Sequence, residues 1–527
     1  MENIQLGWID ISILVVYFIA IIWWALSQGK SKDSTSYFLA GRDMRWPAIG
    51  LALFAASISS STLIGHSGDA YSTGIAVFNY NLISVIVMIF FAWFFLPFYI
   101  RSGVFTMPEF LERRFDEKSR YYFSFITIIG NIFLDAAGAL YAAALIIKLI
   151  IPELGLQTII IIFAVAVASY TIPGGLSSAI SAEIVQAVIL IVGSIILTYL
   201  ALINGGAQYL QTLIADNAMT MQLVRPLDDP SVPWLGLIVG IPILGFYFWG
   251  NNQTLVQRVL SARSVDEGRK GVLLVGFLTV LTLFFIIYPG VMAKDLFPGL
   301  EKPDMVYPKL VLELMPVGLL GILMAALVAA LTSTLSAILN SVSTLFTMDF
   351  YSALKEGEVS SDEQVRVGRI TSVVVLIIAV IWAPQIGEFD SLVKYYQQML
   401  SYIAPPIVAA FFLGLFSKRA NATGTISGLI TGLLIAVLLL FYKEAIFGDM
   451  HFLLVVPYLF GFSLFVMIGI SWLTNHPPKE KIEEYTWSKE IFIKETKQMK
   501  GMKWYSNYRF WSLALLLFCL VILWLYR

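Results

Sequence analysis

Long apolar stretches separated by short polar breaks run along the whole chain. Fourteen of them reach the length of about 20 residues that a helix needs to cross a bilayer. They fall at 8–27, 45–66, 76–100, 120–150, 156–172, 180–204, 235–257, 272–296, 316–347, 367–385, 390–416, 421–443, 452–474 and 508–526. Each predicts a helix, because a helix satisfies its own backbone groups where lipid offers no partners. The chain therefore reads as an all-α integral membrane protein of about fourteen transmembrane helices. The stretch from Trp8 to Leu26 has a leader too short and too uncharged for a secretory signal, and no small-residue cleavage pattern follows it, so it is read as a retained first helix.

Composition and charge sharpen this picture. Of 527 residues, 58% are hydrophobic and 13% charged, where soluble chains carry about 25% charged residues. Most of the chain is thus expected to meet membrane lipid. A net charge of -1 proposes no nucleic-acid partner. The single cysteine, Cys519, excludes an intrachain disulfide and a cysteine-based metal cluster.

Lys and Arg accumulate in loops that stay in the cytoplasm. The loops after odd-numbered helices hold 26 of the 34, the opposite side with the two termini holds 7, and Lys394 lies within a helix. Both termini are expected outside, in the cell membrane, with the segment from Asn475 to Tyr508 inside. In that segment Lys479, Lys481, Lys489 and Lys494 alternate with Glu480, Glu483, Glu490 and Glu495, as in a solvated, helix-compatible surface segment.

Irregular backbone at membrane depth is tolerated only around a protected site, so breaks in spanning helices point to binding. The second stretch contains Ala55-Ala56-Ser57-Ile58-Ser59-Ser60-Ser61-Thr62, followed by Gly65 and Gly68. Its hydroxyls are able to satisfy carbonyls freed by an unwound turn. The seventh contains Gly245-Phe246-Tyr247-Phe248-Trp249-Gly250-Asn251-Asn252-Gln253. Two interrupted helices five spans apart suit inverted repeats with a site between the breaks. Small residues also permit close packing, which is the reading for Gly424, Gly428 and Gly432. Packing needs smallness on one face only, whereas consecutive hydroxyls surround the axis, so the second stretch is assigned a substrate or ion role. The ninth stretch adds Ala329-Ala330-Leu331-Thr332-Ser333-Thr334-Leu335-Ser336, a supply of neutral oxygens for a hard cation such as sodium.

At these residues the sequence resembles the sodium/solute symporter family, whose members include the sodium/glucose cotransporters. The likeness runs from about Tyr37 to Thr425. It includes Tyr37-Phe38-Leu39-Ala40-Gly41-Arg42, Ile64-Gly65-His66-Ser67-Gly68, Tyr170-Thr171-Ile172-Pro173-Gly174-Gly175-Leu176 and Gln257-Arg258. Leu339-Asn340-Ser341, Phe346-Thr347-Met348-Asp349 and Phe412-Leu413-Gly414-Leu415-Phe416-Ser417-Lys418-Arg419 with Gly424 continue it. Thr425 stands where the family signature usually has alanine.

The resemblance implies a five-plus-five inverted-repeat core of the LeuT-like fold, alternating access, sodium as coupling ion, no other cofactor and no enzymatic activity. It divides the chain into an extra helix and cytoplasmic loop (1–44), a first repeat (45–204), an extracellular loop (205–234) and a second repeat (235–416). Additional helices (417–474), a cytoplasmic segment (475–507) and a C-terminal helix (508–527) follow.

In the family's common sodium site two carbonyls match Ala55 and Ile58, a third matches Ala330, and two hydroxyls match Ser333 and Thr334. At substrate positions Thr62 replaces a glutamine or histidine of sugar-carrying relatives, Asn81 a glutamate, Gly245 an asparagine, Thr279 a lysine and Phe248 a tyrosine. Ser84, Trp249 and Gln397 are retained. The implied substrate set is Thr62, Tyr80, Asn81, Ser84, Asp135, Phe248, Trp249 and Gln397, and the replacements do not favour glucose or galactose.

Ionisable residues within spans are functional candidates because burying them is costly. Asp135 falls near the middle of the fourth helix, where the resemblance puts it beside the substrate cavity; otherwise it is a buried acid bonded to a neighbouring helix. Its charge favours an amine, or a polyol whose hydroxyls donate to it. Glu183 on the sixth helix matches a carboxylate toward the cytoplasm, a candidate for sodium exit or a second ion, or else an interfacial anchor. His66, beside the break, is a small polar packing residue or a proton sensor.

The expected function is sodium-driven import of a small polar solute, most simply a sugar or polyol. The alternatives are a sodium symporter of a cationic or amino-containing solute, and a transporter-derived membrane sensor. A membrane enzyme is disfavoured, since no cluster of carboxylates or histidines converges at one depth.

Overall fold

The structure, a computed structural model, describes residues 7–28, 33–58, 61–150, 153–300, 302–388 and 392–527. Lys30, Lys32, Ser59 and Ser60, which carried part of the reading above, lie outside the described residues. The described chain is almost entirely helical. Its spans are α1 (Trp8–Gln28), α2 (Trp46–Ser57 and Thr62–Thr73), α3 (Ile75–Phe94), α4 (Glu117–Lys148), α5 and α6 (156–174 and 176–201), α7 (Trp234–Asn251, then Gln253–Leu260) and α8 (Val265–Leu296). They continue as α9 (Leu319–Leu345), α10 (Ser361–Trp382), α11 (Leu392–Phe416), α12 (Ala422–Phe447), α13 (Phe452–Leu473) and α14 (Tyr508–Leu525).

The expected spans correspond to these helices in order, with ends shifted by up to seven residues, as where the eighth begins at Val265 rather than at 272. The second span does not stop at residue 66 but continues to Thr73, bending by 64° at its break. The fifth and sixth follow each other with no loop. Left straight, their 46 residues would extend about 69 Å at 1.5 Å per residue, more than twice the hydrocarbon core of about 30 Å. The chain turns at Gly175, whose backbone (φ 61, ψ -156) lies in a region open essentially to glycine alone. A Cβ there would also stand 2.6 Å from the Tyr37 ring.

Packing follows from small residues and aromatics. Cβ atoms added at Gly424 and Gly428 would fall 2.1 and 2.2 Å from Ser471 and Met467 of α13, and one at Gly432 would fall 2.6 Å from Pro406 of α11. These three glycines therefore set the close approach of α12 to its neighbours, as small residues do between membrane helices. Phe246 of α7 meets Phe95, just past α3, at 4.6 Å and Phe412 of α11 at 4.8 Å between ring centroids.

The segment between α13 and α14 is a docked strap. It forms short helices at Lys479–Tyr485 and Lys489–Gln498. The Trp487 N–H donates to the Leu415 carbonyl of α11 at 2.8 Å, and its ring packs on Phe94 of α3. Glu495 accepts from Tyr508, Arg509 and Arg269 of α8. Its outer face stays solvated, as the alternating charges require, while these contacts hold its inner face to four spans, α3, α8, α11 and α14.

Candidate functional site

The break in α2 is built by its own hydroxyls. Ile58 leaves the helical region (φ -82, ψ 76), and Thr62 reaches back across the gap to donate to the Ser57 carbonyl at 3.0 Å. Ser57 donates in turn to the Phe54 carbonyl at 2.9 Å. A serine- and threonine-rich stretch thus opens a turn without leaving these carbonyls unsatisfied.

The break in α7 works through amides. Its turn over Tyr247–Asn251 is widened, the Asn252 N–H bonds the Tyr247 carbonyl at 2.8 Å, and the Asn252 side chain caps the following half-helix through the Thr254 N–H. That half-helix is pinned from below. Gln253 accepts from the Met107 N–H, Gln257 donates to the Phe38 carbonyl and to Thr344, and Arg258 holds Glu183. A third widened turn, Asn131–Ala136 in α4, carries Asp135. Such turns inside α-helices recur at functional sites.

Between these three irregularities lies a cavity of ≈ 140 Å³. All eight expected substrate residues line it: Thr62, Tyr80, Asn81, Ser84, Asp135, Phe248, Trp249 and Gln397. So do Gly245 and Thr279. Asn81 donates to Thr282 of α8 at 2.8 Å, which leaves its amide oxygen to face other partners. A Cβ at Gly245 would approach Ser84 Oγ to 3.4 Å, so the missing side chain lets α3 and α7 come together.

The expected ion residues lie on the first half of α2, at its break and on α9, and two of them border this cavity. Ser333 of α9, fully buried, donates its hydroxyl to the Ala55 carbonyl at 3.1 Å. This contact ties α9 directly to the end of the first half of α2. Ile58 and Thr334 line the cavity wall, and Ala330 lies on α9 three positions before Ser333. The other hydroxyls of the α9 run face elsewhere. Thr332 accepts from Gln186 of α6 at 3.1 Å and Ser336 accepts from Thr171 of α5 at 2.8 Å.

Glu183 is not free in this arrangement. Both its oxygens accept from Arg258 of α7, one from Nε at 2.9 Å and the other from Nη2, and both side chains are fully buried. The sequence reading did not pair these two residues, which stand 75 positions apart.

Several lining groups lay outside the expected substrate set. Tyr396, next to Gln397, shares the cavity wall with Asp135. Ser57, Asn252, Thr254 and Thr282 also line the wall. His66 lies in the cavity wall beside Tyr80, rings stacked at 6.4 Å, with Nδ1 lacking a hydrogen-bond partner among the described residues. Its spacing of four from Thr62 on one half-helix was the available signal.

Two broken helices, a polar cavity at the breaks and an all-helical body of membrane-spanning lengths define a membrane transporter of the inverted-repeat type. Residues 37–432 match the description of the Sodium:solute symporter family, and the chain belongs to that family. It is similar to the mouse (Mus musculus) sodium/glucose cotransporter 4, with 33% identity over 91% of this chain and 77% of the relative. It is equally similar to the mouse sodium/myo-inositol cotransporter 2, with 33% identity over 91% of this chain and 79% of the relative. A solved Na+-coupled sialic acid symporter in its substrate-bound outward-open state shares the fold, with a TM-score of 0.79 at 22% identity over 90% of this chain and 99% of that one. Sodium-coupled transport across a membrane is therefore the class of activity.

Proposed function

We propose that this chain imports a small neutral polyhydroxylated solute, a sugar or a cyclitol, with sodium by alternating access. The observation that carries this reading is the cavity at the helix breaks. Its polar groups are hydroxyls, amides, one imidazole and one carboxylate, with no lysine or arginine among the described lining residues. Hydroxyls and amides both donate and accept, which matches the equally ambivalent hydroxyls of a polyol. Trp249, Phe248 and Tyr80 supply flat apolar walls for its C–H faces. The relatives named for glucose and myo-inositol support the same solute class.

Sodium is assigned to the carbonyls of Ala55, Ile58 and Ala330 and the hydroxyls of Ser333 and Thr334. The Ser333–Ala55 contact supports this, since it brings two of the five oxygens together. An ion there bridges the broken α2 to α9 and favours the state that admits solute from outside. Once it leaves inward the bridge is lost, and coupling is the difference in sodium affinity between the two states. On this reading α2 to α6 and α7 to α11 form the inverted repeats, and both termini face outward. A role for Glu183 in sodium exit requires Arg258 to release it during the cycle.

One observation favours a second reading. Asp135 is the only carboxylate among the described lining residues, and no cation in the wall neutralises it, as suits a cationic or amino-containing solute. Uptake of labelled sugars, cyclitols and amines into proteoliposomes, with and without an inward sodium gradient, separates the two. Sodium-driven accumulation of a sugar or cyclitol is expected. Accumulation of amines alone would replace the first reading by the second.

A further inference from the structure

A second built cavity lies away from the transport path, on the face that carries the basic loops. It measures ≈ 470 Å³ and is lined by Arg114, Lys481, His476, the first residues of α12 and Leu473, with no acidic residue in its described wall. We propose that this cavity binds a phosphate-bearing anion, the head group of an acidic phospholipid or a free phosphate.

Arg114 ends the short helix Met107–Arg114 and is fully buried. Its Nε donates to the Gly414 carbonyl at 2.8 Å and its Nη2 to the Ser417 and Ala420 carbonyls at 2.7 and 3.3 Å. The guanidinium thus caps the end of α11 through neutral acceptors only. Nη1 has no hydrogen-bond partner among the described residues, and the ion pairs found there do not include Arg114. A buried charge of this kind normally has a partner of opposite sign.

The N-terminus of α12, a helix of 26 residues, borders the same space. Four N–H groups at a helix start lack intrahelical acceptors. Here the Asn421 N–H goes to Ser471 Oγ at 3.2 Å and the Asn421 side chain takes the Gly424 N–H at 2.9 Å. Ala422 and Thr423 keep theirs for an outside acceptor, at the positive end of the helix dipole where phosphates bind. Lys481 donates to the Phe115 and Glu112 carbonyls at 2.7 and 3.3 Å, and an ammonium has a third proton to give. The rim is apolar and outward-facing: Leu473 is 87% exposed and Trp472 beside it 70%. A lipid tail has a surface to follow there.

The test uses full-length protein, stripped of lipid in neutral detergent at constant sodium and ionic strength. Thermal unfolding is followed by tryptophan fluorescence during titration with dioleoylphosphatidylglycerol against dioleoylphosphatidylcholine, and with inorganic phosphate against chloride. Because Arg114 also caps α11, the variant combines Lys481→Gln with Ala422→Pro instead. Proline is tolerated at the first helical position and removes one free N–H.

A saturable rise in Tm is expected for wild type, and the double variant should need at least about tenfold more ligand. Lys479→Gln, the same charge change outside the cavity, should titrate as wild type. A rise with phosphatidylglycerol alone assigns a lipid head group, and a rise with phosphate as well assigns a site open to free anion. No saturable rise with either probe, or equal midpoints for wild type and double variant, overturns the proposal.

Discussion

Replacing Ser333 and Thr334 together by alanine removes two of the five oxygens assigned to sodium without adding bulk. Ser333 is fully buried and Thr334 nearly so, and the Ser333 hydroxyl lies 3.1 Å from the Ala55 carbonyl, so both act at the junction of α9 with the broken α2. An interaction with a charged partner contributes about 1.5–3 kcal/mol in proteins. Three carbonyl oxygens remain, and water from the adjoining cavity offsets part of the loss at Thr334, so the lower end of one such interaction is a minimum. At about 1.4 kcal/mol per tenfold, the half-saturating sodium concentration should rise at least about tenfold. The assay is initial uptake of the transported solute into proteoliposomes across a sodium series, with reconstitution yield as a folding control. Losing the neutral Ser333–Ala55 bond costs about 1 kcal/mol besides, seen as a small fall in Tm without sodium. Half-saturating sodium unchanged within about twofold would refute the ion assignment and the coupling scheme built on it.

Asp135→Asn keeps volume and hydrogen-bonding capacity but removes the charge. It should abolish uptake of a cationic solute while a polyol loses only part of its affinity, and unchanged affinity for every transported solute would remove Asp135 from the site. Arg258→Gln leaves the buried Glu183 carboxylate unpaired and should destabilise the protein by about 3–5 kcal/mol. Adding Glu183→Gln should recover much of that loss in thermal unfolding, and an additive double variant would count against the pairing. A reporter fused after Arg527 should lie outside and a tag inserted near Glu484 inside; both on one side would overturn the assigned topology.

The sequence by itself was enough for the class and for a body of many membrane-crossing helices, because lipid forces every crossing segment to be apolar, long and helical. It was also enough to locate the two breaks, since serine, threonine, glycine and asparagine runs are out of place in a spanning helix unless they do something. Short-range chemistry at the first break was equally legible, since the Thr62 hydroxyl bonds a carbonyl five positions away, at Ser57.

What only the tertiary structure decided involves partners far apart in the chain. Glu183 read as an ion-handling carboxylate or an interfacial anchor until α7 brought Arg258 to it, and an ion pair across 75 residues leaves no trace in local pattern. Tyr396 drew no reading, and His66 stood open between packing and proton sensing, until α11 and α2 turned them toward the same space as Asp135. The strap from 475 to 507 looked merely solvated because its alternating charges describe its outer face. Its inner contacts, Trp487 on Leu415 and Phe94 and Glu495 with Arg269, exist only once α3, α8 and α11 have assembled beneath it. Local hydrophobic period sets what each segment is, whereas the geometry of packed helices sets which polar groups meet.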